Sequence, residues 1–203
     1  MARREERKQA VREQILDAAA ACFAERDFAA ITIDDVVARS GVARATVYAN
    51  FPNKEALAAG AARRSLVALF EEVERALARN VALADALAAV NRRSARWLEQ
   101  NRALAARFFE HIARQADFSG TPAERPSVRE ALAEAFARAQ EQGELRKDHG
   151  AAELASIYGA MWFNSCMRWT QAPHPYPLAA ELDSAADVFL YGAAKSRTRK
   201  ASP

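Results

Sequence analysis

Arg44, Thr46, Tyr48 and Asn50 stand at alternate positions just ahead of Lys54, with Thr32 a short distance upstream. A guanidinium can donate two hydrogen bonds to guanine O6 and N7, and an amide can match adenine. Hydroxyl and ammonium groups suit phosphate oxygens, which position a protein on a duplex without reading it. This is chemistry of recognition. Catalysis would need converging groups, whereas His111, His149 and His174 fall on different segments, with no Gly-rich phosphate loop, nucleophile elbow or metal-ligand spacing. No cofactor is expected.

Bulk charge neither supports nor opposes a nucleic-acid partner. The net charge is +3 and the pI near 9.1, but Lys195, Arg197, Arg199 and Lys200 lie in an acid-free stretch at 195–203, and without them the balance turns slightly negative. The case rests on where particular residues sit. Cys22 and Cys166 fall in apolar stretches with neither a disulfide framework nor zinc spacing, and the start, Met1-Ala2-Arg3-Arg4-Glu5-Glu6, lacks a secretory apolar region. No run approaches the roughly eighteen apolar residues of a membrane span. A cytoplasmic protein with no membrane partner is expected.

The elements that must position these groups are helices. Hydrophobic residues make up 51% of 203, with only 7 Gly and 7 Pro, and no strand pattern or internal repeat is evident. Val11, Ile15, Ala19, Cys22 and Phe23 recur at steps of three and four, which predicts a first helix over about 6–26 with one face inward. Thr32 with Asp35 three residues on resembles a capping box, opening a short helix that runs to about Arg39. Ser40-Gly41 breaks it, because Gly readily takes the left-handed conformation that redirects a chain. A third helix is expected at 44–50, and a fourth from an Asn53 N-cap to about Arg79, with Glu55 near its positive end.

Further helices are expected at 83–100, 102–116, 127–142, 151–171 and 178–194. Asp117 to Pro126 reads as a loop, Gly143 as a helix cap, and Pro173, Pro175 and Pro177 forbid continuity between the last two. The fold class is therefore all-α: a three-helix helix-turn-helix domain over 1–56, a helical ligand-binding and dimerisation domain over 57–195, and a basic tail over 196–203, more readily disordered than functional.

Two short helices joined by a Gly-containing turn and backed by a longer one make the arrangement that lays a second helix in a major groove. The stretch Ile31-Thr32-Ile33-Asp34-Asp35-Val36-Val37-Ala38-Arg39-Ser40-Gly41-Val42-Ala43-Arg44-Ala45-Thr46-Val47-Tyr48-Ala49-Asn50-Phe51-Pro52-Asn53-Lys54-Glu55-Ala56-Leu57 resembles the TetR-family signature. In that signature a capped helix, a Gly-Val turn, a Thr-aliphatic-Tyr helix and a Phe-x-x-Lys-Glu-x-Leu exit follow in this order. The resemblance covers about residues 10–60. It implies a homodimer on a near-palindromic operator, a C-terminal pocket whose occupation changes the spacing of two heads, and repression rather than activation. Two other readings stand beside it: a helical protein-protein adaptor without DNA binding, and, further off, an enzyme.

On this reading Val36, Val37, Val42, Val47 and Phe51 form the small core that holds the helices. Arg44, Ala45 and Thr46 occupy the end of the third helix that meets base edges or flanking phosphates. Arg44 is the candidate base reader, its other role being a solvated surface arginine. Tyr48, at i+4, shares its face and bonds a phosphate, as do Thr32, Thr46 and Lys54. Asn50 either reads adenine or contacts the backbone, and the family often has His or Tyr there. Ala43 stands where Ser or Thr commonly caps the recognition helix, and Ala45 where Gly is frequent. Arg3, Arg4, Arg7 and Lys8 form either a DNA-contacting arm or a solvated helix start.

Most bulky side chains lie in the C-terminal two-thirds, and most of these must be core. Trp97, Phe108, His111, Trp162 and Cys166 are the candidate lining of a site for a small apolar or amphipathic effector. His111 either orients that ligand or sits half-exposed, and Asn164 and Arg168 add polar possibilities. Leu154, Ile157, Leu182, Val188, Phe189 and Leu190 put apolar residues on more than one face of the last two helices, which calls for a covering copy of the same helices. Gly159 and Gly192 are candidate points of close approach.

Overall fold

A computed structural model describes residues 2–114, 128–174 and 176–192, with the side chains of 2, 3, 111, 112 and 114 outside that description. The Arg3, His111 and Ile112 side chains, Pro175, the loop at 117–126 and the tail at 196–203 therefore lie outside the described residues. Among those described there are nine α-helices and no strand: α1 (Ala2–Glu25), α2 (Ile33–Ser40), α3 (Arg44–Asn50), α4 (Lys54–Leu77), α5 (Leu83–Gln100), α6 (Arg102–Arg114), α7 (Val128–Glu141), α8 (Ala151–Gln171) and α9 (Leu178–Tyr191). The all-α expectation holds. A 3-10 turn at Phe28–Ala30, which periodicity did not reveal, links α1 to α2.

Two apolar cores divide the chain. Ile15, Leu16, Ala19, Cys22, Ile31, Val36, Val47 and Phe51 make the head core together with Leu57 and Ala61 of α4. Val37 and Val42, expected inside it, are only partly buried at its edge. The body core is built from α4 through α9, beginning with Ala59, Ala62, Leu66 and Phe70 of that same α4. The boundary expected at 56/57 therefore falls at the start of a continuous helix whose next turn serves both sides.

Gly60 marks the tightest point of that turn. A Cβ placed on it would lie 2.8 Å from the Phe51 ring and 3.0 Å from Leu16 Cδ2, so the missing side chain lets α4 approach the head closely. Just beyond, Arg64 reaches back to α1, with Nη1 3.2 Å from Glu13 Oε2 and 2.8 Å from Asp17 Oδ1.

In the body, α4 packs on α5, α6 and α7, while α8 packs on α6, α7 and α9, and α9 on α5. A buried polar link crosses three of these helices: the Tyr158 hydroxyl donates to Asn91 Oδ1 at 3.0 Å, and Asn91 Nδ2 donates to the Leu182 carbonyl at 3.0 Å. Burial pushes the Tyr158 hydroxyl well above its ordinary pKa, so it remains a donor throughout the physiological range.

Leu154 and Leu182, read as part of a surplus apolar face, are buried in this chain's own core, and Phe189 stacks on Phe136 at 5.4 Å. The outward apolar residues are Ile157, Val188 and Tyr191, at 45%, 41% and 72% exposure. Gly192 has its own local task, since at φ 80° it ends α9 with its N–H on the Val188 carbonyl. Gly159 meets Leu132 of the same chain at an ordinary distance.

Substituting Gly60→Ala gains about 0.5–1 kcal/mol of helix propensity but forces a methyl into Phe51 and Leu16, an overpacking that costs about 1–3 kcal/mol. The net expectation is a lower urea midpoint for the head. An unchanged midpoint would show that the Phe51 ring can give way.

Candidate nucleic-acid interface

The start of α2 is fixed by a reciprocal cap. Thr32 Oγ1 accepts from the Asp35 N–H at 3.2 Å, while the Thr32 N–H and hydroxyl each donate to Asp35 Oδ2 at 2.7 Å. Asp serves in the box where Glu is usual, and the cap forms as expected. Arg26 Nη2 lies 3.1 Å from the other carboxylate oxygen. The Thr32 hydroxyl first, then the Thr32 N–H, then Arg26 hold the Asp35 carboxyl down at about 2, from an ordinary 3.8.

The turn into α3 is closed by Gly41, at φ 66°, whose N–H donates to the Val37 carbonyl at 3.1 Å. Gln14 of α1 donates to the Ser40 carbonyl at 2.8 Å, and Arg39 makes a bidentate pair with Glu25 of α1 at 2.5 and 2.7 Å. The C-terminal end of α2 is thereby fastened to α1. Ala43 then opens α3 with no side-chain cap, as its methyl side chain dictates.

On α3 the inward position is Val47, fully buried, and Phe51 follows it into the core. Arg44, Ala45 and Tyr48 are exposed and Thr46 is half-buried. The Arg44 guanidinium carbon stands 5.5 Å from the Tyr48 ring centroid, and its Nη1 pairs with Asp34 Oδ1 of α2 at 3.1 Å. Thr32 is exposed at the N-terminus of α2, two residues before Asp34. The structure thus brings Arg44 and Tyr48 together as the i+4 spacing requires, and adds Asp34, which had no signal beyond its acidity.

Asn50 and Lys54 are placed differently. Asn50 Nδ2 donates to the Thr46 carbonyl at 2.8 Å, an i−4 bond within its own helix that occupies one of the amide's two N–H groups and ties the side chain to α3. Lys54 Nζ donates to the Phe28 carbonyl at 2.8 Å and sits 4.3 Å above the Phe28 ring, tying the 3-10 turn to the start of α4. Its ammonium keeps two further donors for a phosphate. Asn53 caps α4 by accepting from the Ala56 N–H at 2.7 Å.

Among the effector candidates, Phe108, Trp162 and Cys166 are buried in the body core and Trp97 packs half-buried against it, while the side chain of His111 lies outside the described residues. Phe70 of α4 meets Trp162 edge-on at 5.2 Å, and Phe109 links Trp162 to Phe108. Trp162 Nε1 and Ser94 Oγ are buried without a hydrogen-bond partner. Burial pushes the Cys166 thiol well up, so it remains a neutral thiol.

Residues 15–64 match the family model for bacterial regulatory proteins, tetR family. Over those residues the chain is similar to the TetR family. Over 71 residues the chain is 37% identical to the HTH-type transcriptional regulator AlkX of Mycobacterium tuberculosis, covering 35% of this chain and 34% of that protein. An uncharacterized HTH-type transcriptional regulator of the same species is 34% identical over 124 residues, 61% of this chain and 60% of the relative. The chain thus spans less than two-thirds of the length of either curated relative. Whole-chain similarity comes from the structure of Thermus thermophilus FadR, a TetR-family transcriptional repressor solved with lauroyl-CoA: TM-score 0.72 and 25% identity, over 95% of this chain and 100% of that one. The matched segment spans the C-terminal part of α1, all of α2 and α3, and the first part of α4.

Because the folded Asp35 pKa lies below its unfolded value, its cap stabilises the head above about pH 4 and is lost as pH falls towards about 2. Asp35→Asn should lower the urea midpoint at neutral pH, and its difference from the parent should close across that acidic window. A difference that stays constant down to pH 2 would remove ionisation of Asp35 from the cap's contribution.

Proposed function

We propose that this chain is a ligand-responsive repressor that binds a near-palindromic operator as a homodimer in the cytoplasm. The observation that carries the reading is the exposed set Arg44, Ala45 and Tyr48, with half-buried Thr46 beside them, on a helix held by buried Val47 and Phe51. That geometry presents the N-terminal end of a recognition helix to base edges, with Thr32 at the flank for phosphate. Arg44 reads a guanine, Tyr48 and Thr46 hold the backbone, and Lys54 contributes one of its remaining donors.

The dimer is supported by the outward apolar residues of α8 and α9. Ile157, Val188 and Tyr191 are exposed apolar residues that a second copy of the same helices would cover, and two-fold symmetry then matches two half-sites. The effector reading is supported by the buried aromatic body around Phe108 and Trp162, and by the acyl-CoA bound to the similar Thermus repressor. An apolar or amphipathic molecule with at least one hydrogen-bond acceptor fits the unpartnered Trp162 indole N–H. No cofactor is invoked.

Selection from a random duplex pool should yield a near-palindrome bound at about 10⁻⁸ to 10⁻¹¹ M, with affinity falling steeply as salt rises. Failure to enrich any sequence would sink the regulator reading. Arg44→Ala should cost about 1–3 kcal/mol on the selected duplex and relax preference at one base pair. Tyr48→Phe should instead weaken all duplexes alike. Val188→Glu should convert the dimer to monomer in sedimentation, and an undisturbed dimer would place the interface elsewhere.

A further inference from the structure

We propose that Asp34 is a positioning residue for Arg44 and sets the sequence selectivity of the recognition helix. The inference rests on the reading of Arg44 as a base reader. Three observations carry it, beginning with the 3.1 Å pair between Asp34 Oδ1 and Arg44 Nη1, which spans from α2 to α3 on the outer side of the turn. The second is the Tyr48 ring 5.5 Å from the same guanidinium, so that one group is held at an edge by a carboxylate and at a face by an aromatic ring. The third is how the neighbouring acids are used.

Asp35 is committed to Thr32 and Arg26, and Glu25 to Arg39. Both pairs fasten the fold. Asp34 is the acid of this group whose ion pair goes to a side chain on the recognition helix, and both partners stay open to solvent, at 54% and 64% exposure. A pair that exposed contributes little to folding, while the turn between α2 and α3 is already fixed by Gly41, Ser40 and Gln14. The function of the contact is therefore to restrict Arg44.

An unrestrained arginine has many rotamers and finds phosphates as readily as bases, because its charge is attracted to every nucleotide. Reading guanine requires the planar fork to arrive in one orientation. Asp34 engages one end of the guanidinium and leaves the remaining N–H groups for O6 and N7. Its negative charge also opposes the phosphate backbone and so weakens binding to any duplex that offers Arg44 no base contact. The carboxylate thus lowers indiscriminate affinity and raises the ratio between right and wrong sequences.

The test compares the full-length parent with Asp34→Asn, Asp34→Glu, Arg44→Ala and the Asp34→Asn/Arg44→Ala double variant. Binding is measured on the pool-selected duplex and on its scrambled counterpart, and a second selection is run with each variant. Asp34→Asn should bind the scrambled duplex several-fold more tightly, lower the selectivity ratio by about tenfold, and lose preference at the same base pair as Arg44→Ala. Asp34→Glu, which keeps the charge, should retain part of the ratio. In the Arg44→Ala background, Asp34→Asn should shift both duplexes equally. The proposal is overturned if Asp34→Asn alone shifts both duplexes equally and leaves the selected sequence unchanged while Arg44→Ala still alters it. Should Arg44→Ala also leave the selected sequence unchanged, the reading of Arg44 falls and this proposal with it. Thermal unfolding of each variant separates loss of the α2 helix from loss of selectivity.

Discussion

Between Leu57 and Ala62 one helical turn of α4 supplies side chains to both cores: Leu57 and Ala61 to the head, Ala59 and Ala62 to the body. Close-packed interiors resist continuous deformation, so this turn cannot shift against one core without being felt by the other. Gly60 removes the side chain that would hold α4 off Phe51 and Leu16. Arg64 repeats the connection electrostatically, binding Glu13 and Asp17 of α1 one turn further along. The orientation of α3 therefore depends on α4 through Phe51, the residue that ends α3 and packs under Gly60.

Helix ends show which parts of the fold are local in origin. Thr32 and Asn53 cap their helices with their own side chains, and Gly41 ends α2, so each boundary could be read from a few consecutive residues. Elsewhere the cap comes from a distant part of the chain. Glu144 accepts from the Leu83 N–H at 2.7 Å where Ala82 cannot cap α5, and Glu99 accepts from the Leu178 N–H at 3.0 Å where Pro177 cannot cap α9. Arg102 closes the other end of α8 on the Ala172 carbonyl at 2.8 Å. These contacts satisfy orphan backbone groups, but their sequence separation hides them from any pattern confined to one segment. The same holds for the Tyr158–Asn91 link, where a lone Asn in an apolar helix gives no sign of its partner.

The interface divides in a similar way. Val36, Val47 and Phe51 follow from periodicity, and the exposure of Arg44 and Tyr48 follows from theirs, because residues four apart share a helix face. What periodicity could not supply is competition for each polar group. Lys54 looked free until the 3-10 turn, invisible to a pattern of three residues, brought the Phe28 carbonyl to it. Asn50 gave no sign that one of its amide N–H groups would bond the carbonyl one turn back. Val37 and Val42 err in the opposite direction: both are apolar at helical spacing, but a head this small has too little interior to bury them fully.

The shared turn also decides how an effector could reach DNA. Trp162 packs edge-on against Phe70, and Phe70 lies on α4 beyond Gly60 and Arg64 on the body side. A ligand of the proposed kind that displaced Trp162 would meet α4 through Phe70. To change operator affinity it must favour one placement of α4 over another, since equal binding to both shifts nothing. The buried, unpartnered Trp162 Nε1 is where such a difference would arise: an acceptor reaching it would satisfy a polar group that has no partner, beside the Phe70 ring that joins it to α4.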